Sequence, residues 1–160
     1  MPSFDTVRRV PYSPQQMFDL VADVEQYPHF FPLCERLKVR TRERKGDLDV
    51  LVASMDIGYK AIRETITSRV TLDPKELKVL VELIDGPFRH LDNRWRFVPA
   101  PGGGTDVHFF IGYEFKSFVL QMLVGALFDQ AFRHCMTAFE ARARDVYGRG
   151  SSPEAAVPAI

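Results

Sequence analysis

The chain has 160 residues, 46% of them hydrophobic and 26% charged, which suits one soluble globular domain with one substantial core. Lysine plus arginine equals aspartate plus glutamate at 21 each, so no global field draws it to nucleic acid. The two cysteines, Cys34 and Cys135, stand far apart without metal-ligand or redox spacing, which argues against a zinc centre and a thiol redox pair.

Phe4 to Val10 reads as a first, weakly alternating strand. Ser13-Pro14-Gln15-Gln16 then gives a capping box with proline at the first helical position. The helix it starts carries Met17, Phe18, Leu20 and Val21 and ends before Asp23. Asp23 to Cys34 holds two prolines yet also Tyr27, Phe30, Phe31 and Leu33, so it is expected to fold back over the core or a cavity mouth. Arg36 to Arg44 alternates, with Leu37, Val39 and Thr41 on one face and Arg36, Lys38, Arg40, Arg42 and Arg44 on the other. Lys45-Gly46-Asp47 predicts a hairpin turn into a strand over 49–57, where Leu51, Ala53, Met55 and Ile57 form the inner row. Gly58 predicts the next turn, into a strand over 59–72 with Ile62, Glu64, Ile66, Ser68, Val70 and Leu72 on one face. Further alternating runs follow at 77–83, 93–97 and 106–115, separated by Asp85-Gly86-Pro87 and by Pro101-Gly102-Gly103-Gly104.

Ser117 caps a proline-free helix over 117–147, about 46 Å long at the usual rise per residue. Its first half, to Phe128, has no charge and is apolar all round, so it is expected to be covered on all sides. Its second half has a narrow apolar stripe, read as ordinary core, in which Cys135 is a small buried hydrophobe. The uncharged run is too short to span a bilayer. Residues 148–160, rich in Gly, Ser, Pro and Ala, read as a disordered tail after a single domain over 1–147. Turns this short require antiparallel pairing, so the expected class is α+β, an antiparallel sheet curled around one long helix.

Three stretches, taken together, resemble a known family. They are Val21-Ala22-Asp23-Val24-Glu25-Gln26-Tyr27-Pro28-His29-Phe30-Phe31-Pro32-Leu33-Cys34; Asp85-Gly86-Pro87-Phe88 with Trp95-Arg96-Phe97; and Tyr113-Glu114-Phe115-Lys116-Ser117 running into Phe128-Asp129. They are similar to the coenzyme Q-binding branch of the START-like (helix-grip, polyketide-cyclase-like) superfamily, whose bacterial members are often called ribosome association toxins. The resemblance implies a curved seven-stranded antiparallel sheet gripping the C-terminal helix, with a lipophilic cavity between them. It also implies non-catalytic binding of a ubiquinone-like isoprenoid quinone in support of respiratory electron transport, with no required cofactor. Two other functions stay open: a ribosome-binding toxin that blocks subunit association, and a polyketide cyclase or aromatase-like enzyme. The first residues, Met-Pro-Ser-Phe-Asp, lack a secretory signal and an Arg- and Ser-rich presequence, so the expected compartment is the cytoplasm, peripheral to the inner membrane.

The candidate ligand-binding residues are Tyr27, Phe30 and Phe31 at the lip, Met55, Glu64, Trp95, Phe109 and Tyr113 on the sheet, and Phe118, Met122, Leu123 and Phe128 as the helical floor. Plain core or a homodimer interface is the alternative for each helical residue. Glu64, Ser68 and Glu114 are polar positions among apolar neighbours, and an inward carboxylate would anchor a quinone ring directly or through Arg94 or Arg96, against the plainer reading of an edge position or a structural salt bridge. Arg36, Lys38, Arg40 and Arg42 form a candidate docking surface for membrane phosphates or ribosomal RNA, against the plainer reading of a solvated strand face. His29, His90, His108 and His134 lie apart without partners at metal spacing, and no catalytic constellation emerges.

Overall fold

Six successive strands are joined by turns of two to five residues, and connections that short leave antiparallel neighbours as the only topology. A computed structural model describes the backbone of residues 3–59 and 61–148, and their side chains except at 59 and 123–129. The order is β1 (Ser3–Val10), α1 (Pro14–Ala22), a 3-10 helix (Val24–His29), β2 (Cys34–Lys45), β3 (Leu48–Tyr59), β4 (Ile62–Asp73), β5 (Lys78–Asp85), β6 (Phe88–Pro99), β7 (Thr105–Phe115) and α2 (Phe118–Tyr147). The seven strands form one antiparallel sheet in the order β1-β7-β6-β5-β4-β3-β2. The α+β architecture expected from the sequence is the one observed, a curved sheet laid around the C-terminal helix.

Local chemistry fixes the helix starts. Ser13 Oγ accepts from the Gln16 backbone N–H at 3.1 Å while Gln16 Oε1 accepts from the Ser13 N–H at 2.9 Å, closing the capping box. Ser117 Oγ accepts from the Leu120 N–H at 3.2 Å. The turn between β6 and β7 closes against the end of β1: Gly104 (φ 81°) lies so near the Val10 carbonyl oxygen that a Cβ would collide with it. Beside it the fully buried Thr105 hydroxyl donates to the Tyr12 carbonyl at 2.7 Å.

Four boundaries differ from the sequence reading. The 23–34 segment contains a 3-10 helix, because Pro28 permits a tight turn but not a long one. The hairpin expected at Gly58 comes later: Gly58 stays in β3, donates its N–H to Leu33 O at 3.0 Å, and the strand turns after Tyr59. Leu77 belongs to a turn at φ 55°, so β5 starts at Lys78. β6 starts at Phe88, whose ring stacks on Phe115 at 4.7 Å and so extends pairing to the end of β7. Of the expected tail, Gly148 caps α2 by donating its N–H to Arg144 O at 2.9 Å, and 149–160 lie outside the described residues. Among the described residues no helix is long and apolar enough to cross a membrane.

Phe139 of α2 is the point where helix, sheet and the 23–34 segment meet. Its ring centroid lies 5.1 Å from Trp95 of β6 and 5.3, 5.1 and 5.5 Å from Tyr27, Phe30 and Phe31. Such pairs add about 0.5–1.5 kcal/mol each beyond burial. Phe139→Ala removes all four and is expected to lower unfolding free energy by about 3–5 kcal/mol in a denaturant titration. A loss below about 1 kcal/mol would show that the segment is held from elsewhere.

Candidate functional site

Strand alternation and helix periodicity converge on one apolar cavity of about 160 Å³ between the concave face of the sheet and α2. Alternate residues supply the wall: Ala53, Met55 and Ile57 from β3; Ile66, Ser68 and Val70 from β4; Val79 and Val81 from β5; Leu91, Asn93 and Trp95 from β6; Phe109, Ile111 and Tyr113 from β7. Phe132, Cys135 and Phe139, three turns of one α2 stripe, form the opposite side. Val24, Tyr27, Phe31 and Leu33 close the end.

The space has an identifiable cause. β3 and β4 pair Leu51 with Val70, Ala53 with Ser68 and Met55 with Ile66. The two smallest side chains therefore sit side by side at the centre of the concave face, with bulkier pairs on either side. A close-packed interior leaves few voids. Here the void follows from two short side chains that no neighbour reaches over.

Most polar atoms near the cavity are engaged. Tyr27 Oη donates to the Val21 carbonyl, and burial pushes its phenol pKa far up, with the Cys34 and Asp23 charges adding to the effect. Trp95 Nε1 donates to Asn93 Oδ1 at 3.1 Å, and Asn93 Nδ2 donates to Phe110 O at 2.9 Å, so the amide is held at both ends. Ser68, only 8% exposed, has no hydrogen-bond partner among the described residues.

Of the residues singled out from sequence, Tyr27, Phe31, Met55, Trp95, Phe109 and Tyr113 line the cavity. Phe30 does not; it packs against the outer side of Phe139, beneath the Arg142 guanidinium at 5.3 Å. Glu64 is half-buried on the concave-facing row, one step beyond Ile66, and is not part of the wall. Phe118 and Met122 are 74% and 69% exposed, so they are not a cavity floor. On a helical wheel Leu120, which packs on the core, lies opposite these two, and the sheet covers only one side of α2. Leu123 and Phe128 lie outside the described side chains. The described floor comes instead from Phe132, Cys135 and Phe139, in the half of α2 read as ordinary core. The i, i+3, i+7 spacing of these three was the signal available for them.

The proposed carboxylate and arginine anchors also face elsewhere. Glu114 pairs with Arg89 at 3.9 Å, and Arg94 with Asp92 at 2.9 Å. Arg94 and Arg96 flank the inward Trp95 on β6, so alternation turns both to the convex face. The basic row of β2 is broken by a bulge between Val39 and Thr41, after which Arg42 stands opposite Leu51 on the concave side and pairs with Glu25 at 3.1 Å. Arg36 pairs with Asp56 at 2.9 Å and Arg44 with Asp49 at 3.4 Å. Lys38 and Arg40 remain without an ion pair among the described residues, Arg40 donating to Ser54 Oγ at 2.7 Å.

Residues 10–140 match the family described as polyketide cyclase / dehydrase and lipid transport. Ribosome association toxin RatA of Escherichia coli (strain K12) is 31% identical over 147 residues, 92% of this chain and 90% of the relative. Coenzyme Q-binding protein COQ10 homolog B, mitochondrial, of Xenopus laevis is 36% identical over 149 residues, 91% of this chain and 59% of the relative. The solution structure of an 18 kDa protein from Caulobacter crescentus superposes with a TM-score of 0.79 at 34% identity, covering 93% of this chain and all (100%) of that one. Zhui aromatase/cyclase from a Streptomyces species reaches a TM-score of 0.78 at 17% identity over 91% of this chain and 95% of its own, a likeness of fold alone. The chain belongs to the polyketide cyclase / dehydrase and lipid transport family, in the START-like group that contains the coenzyme Q-binding proteins and the ribosome association toxins.

Proposed function

We propose that this protein binds an isoprenoid quinone of the ubiquinone type without transforming it, and holds it for respiratory electron transport. The observation that carries this reading is the apolar cavity itself, walled by six strands and one helix and closed by an aromatic cluster. A void of about 150 Å³ lined by apolar side chains accepts a benzene-sized guest. The cavity at rest therefore takes a ring or one isoprene unit, and the rest of a polyprenyl tail lies outside it. A five-carbon unit buried there contributes on the order of 4 kcal/mol. Association costs are of at least similar size, so useful affinity calls for a second or third unit against the rim.

The wall's chemistry favours holding over turnover. Among the described residues it carries no carboxylate, histidine, lysine or arginine. Burial pushes the Cys135 thiol well above the usual thiol range, so at neutral pH it is neither a base nor a nucleophile toward a quinone. Cys34, outside the wall, is pushed up to about 11 by burial and by the nearby Asp56 charge.

Three measurements follow. Trp95 is the single tryptophan and lines the cavity. Titration with a ubiquinone carrying two isoprene units should quench its fluorescence saturably, and Val81→Phe, which fills the space at a cost of about 1–3 kcal/mol in stability, should abolish the quench. Organic extraction of protein purified from its native source should release a quinone detectable by mass spectrometry. The absence of both an extracted quinone and saturable quenching would rule the reading out. At pH 8 a thiol-exchange reagent should modify neither cysteine of the folded protein and both after denaturation; rapid native reaction would contradict the buried-thiol assignment.

A further inference from the structure

We infer that the Ser68 hydroxyl is the hydrogen-bond partner of a ring oxygen of the bound quinone, so that the ring enters the cavity and the isoprenoid tail leads out. This rests on the quinone reading above and decides which end of the ligand is buried. Ser68 sits at the midpoint of β4, between the wall residues Ile66 and Val70 and directly across from Ala53. It is 8% exposed, faces an apolar space and has no hydrogen-bond partner among the described residues. The hydroxyl is open to the cavity rather than sealed in packing, and a hydroxyl that faces only apolar space is unfavourable there, where an alanine would serve packing as well. The neighbouring polar groups do not relieve it, because the Asn93 amide is held at both ends and the Tyr27 phenol is committed to Val21.

A ligand oxygen at this point satisfies the hydroxyl, and only one end of an isoprenoid quinone carries oxygen. A serine hydroxyl is both donor and acceptor. It donates to the carbonyl of the oxidised ring and accepts from the hydroxyl of the reduced ring, so it orients the ring in both redox states. A tail-first pose would bury hydrocarbon against Ser68 and leave the hydroxyl unpaired.

The test is a calorimetric titration of wild type, Ser68→Ala and Ser68→Thr with two probes: ubiquinone bearing two isoprene units, and geranylbenzene, which has the same tail on a ring without oxygen. Ser68→Ala is expected to weaken quinone binding about tenfold and to leave geranylbenzene unchanged, while Ser68→Thr, which keeps a hydroxyl, stays within about threefold of wild type for the quinone. Unchanged quinone affinity in Ser68→Ala overturns the inference and leaves the quinone reading standing. Equal weakening for both probes also overturns it, because the residue then acts through packing. Failure of wild type to bind either probe removes the quinone reading and this inference together.

Discussion

A sheet of seven strands is far wider than the single helix it curls around. At about 4.8 Å per strand the concave face is close to 30 Å across, whereas a helix with its side chains is about 10–12 Å thick. Whatever α2 leaves uncovered must be closed by other chain or remain as space. α1 and the 23–34 segment close most of it: the segment meets α2 through Phe139, which touches Tyr27, Phe30 and Phe31 as well as Trp95 of the sheet, and α1 meets it where Tyr147 Oη donates to the Gln16 carbonyl at 2.8 Å. At the centre, the Ala53–Ser68 pair is too short to reach across, and the cavity is what remains.

This imbalance explains which parts of the molecule were legible in the sequence. Period-two alternation and turn residues are local, and they place all seven strands and both helix caps. The inward phase of Met55, Trp95, Phe109 and Tyr113 is readable in the same way, because alternation alone decides which face a strand residue takes. What fails is anything set by a partner strand or by depth. The bulge at Arg40 depends on how β2 meets β3, and it turns Arg42 away from Arg36 and Lys38. Uncharged composition in the first turns of α2 identifies apolar residues but not cover, and Phe118 and Met122 stand in the open. Conversely, Phe132, Cys135 and Phe139 look like unremarkable core until the sheet opposite them is known to have a gap.

The same geometry bears on chemistry. Family membership admits binding proteins and cyclases alike, so the distinction has to come from the site. The described wall offers apolar surface, the phenols of Tyr113 and of Tyr27, the latter committed to the Val21 carbonyl, an amide held at both ends, a thiol held neutral by burial and one serine hydroxyl open to the cavity. Such a set can position a ring and exclude water.

The central claim is that ligand occupies the space over Ala53 and Ser68. Methyl-resolved NMR during titration with a short-chain ubiquinone tests it most directly. Occupancy predicts shifts concentrated at Ile66, Val70 and Val81, with exposed methyls such as Val7 and Val146 unmoved. Shifts confined to exposed methyls, or to the first turn of α2 at Val119 and Met122, would contradict it.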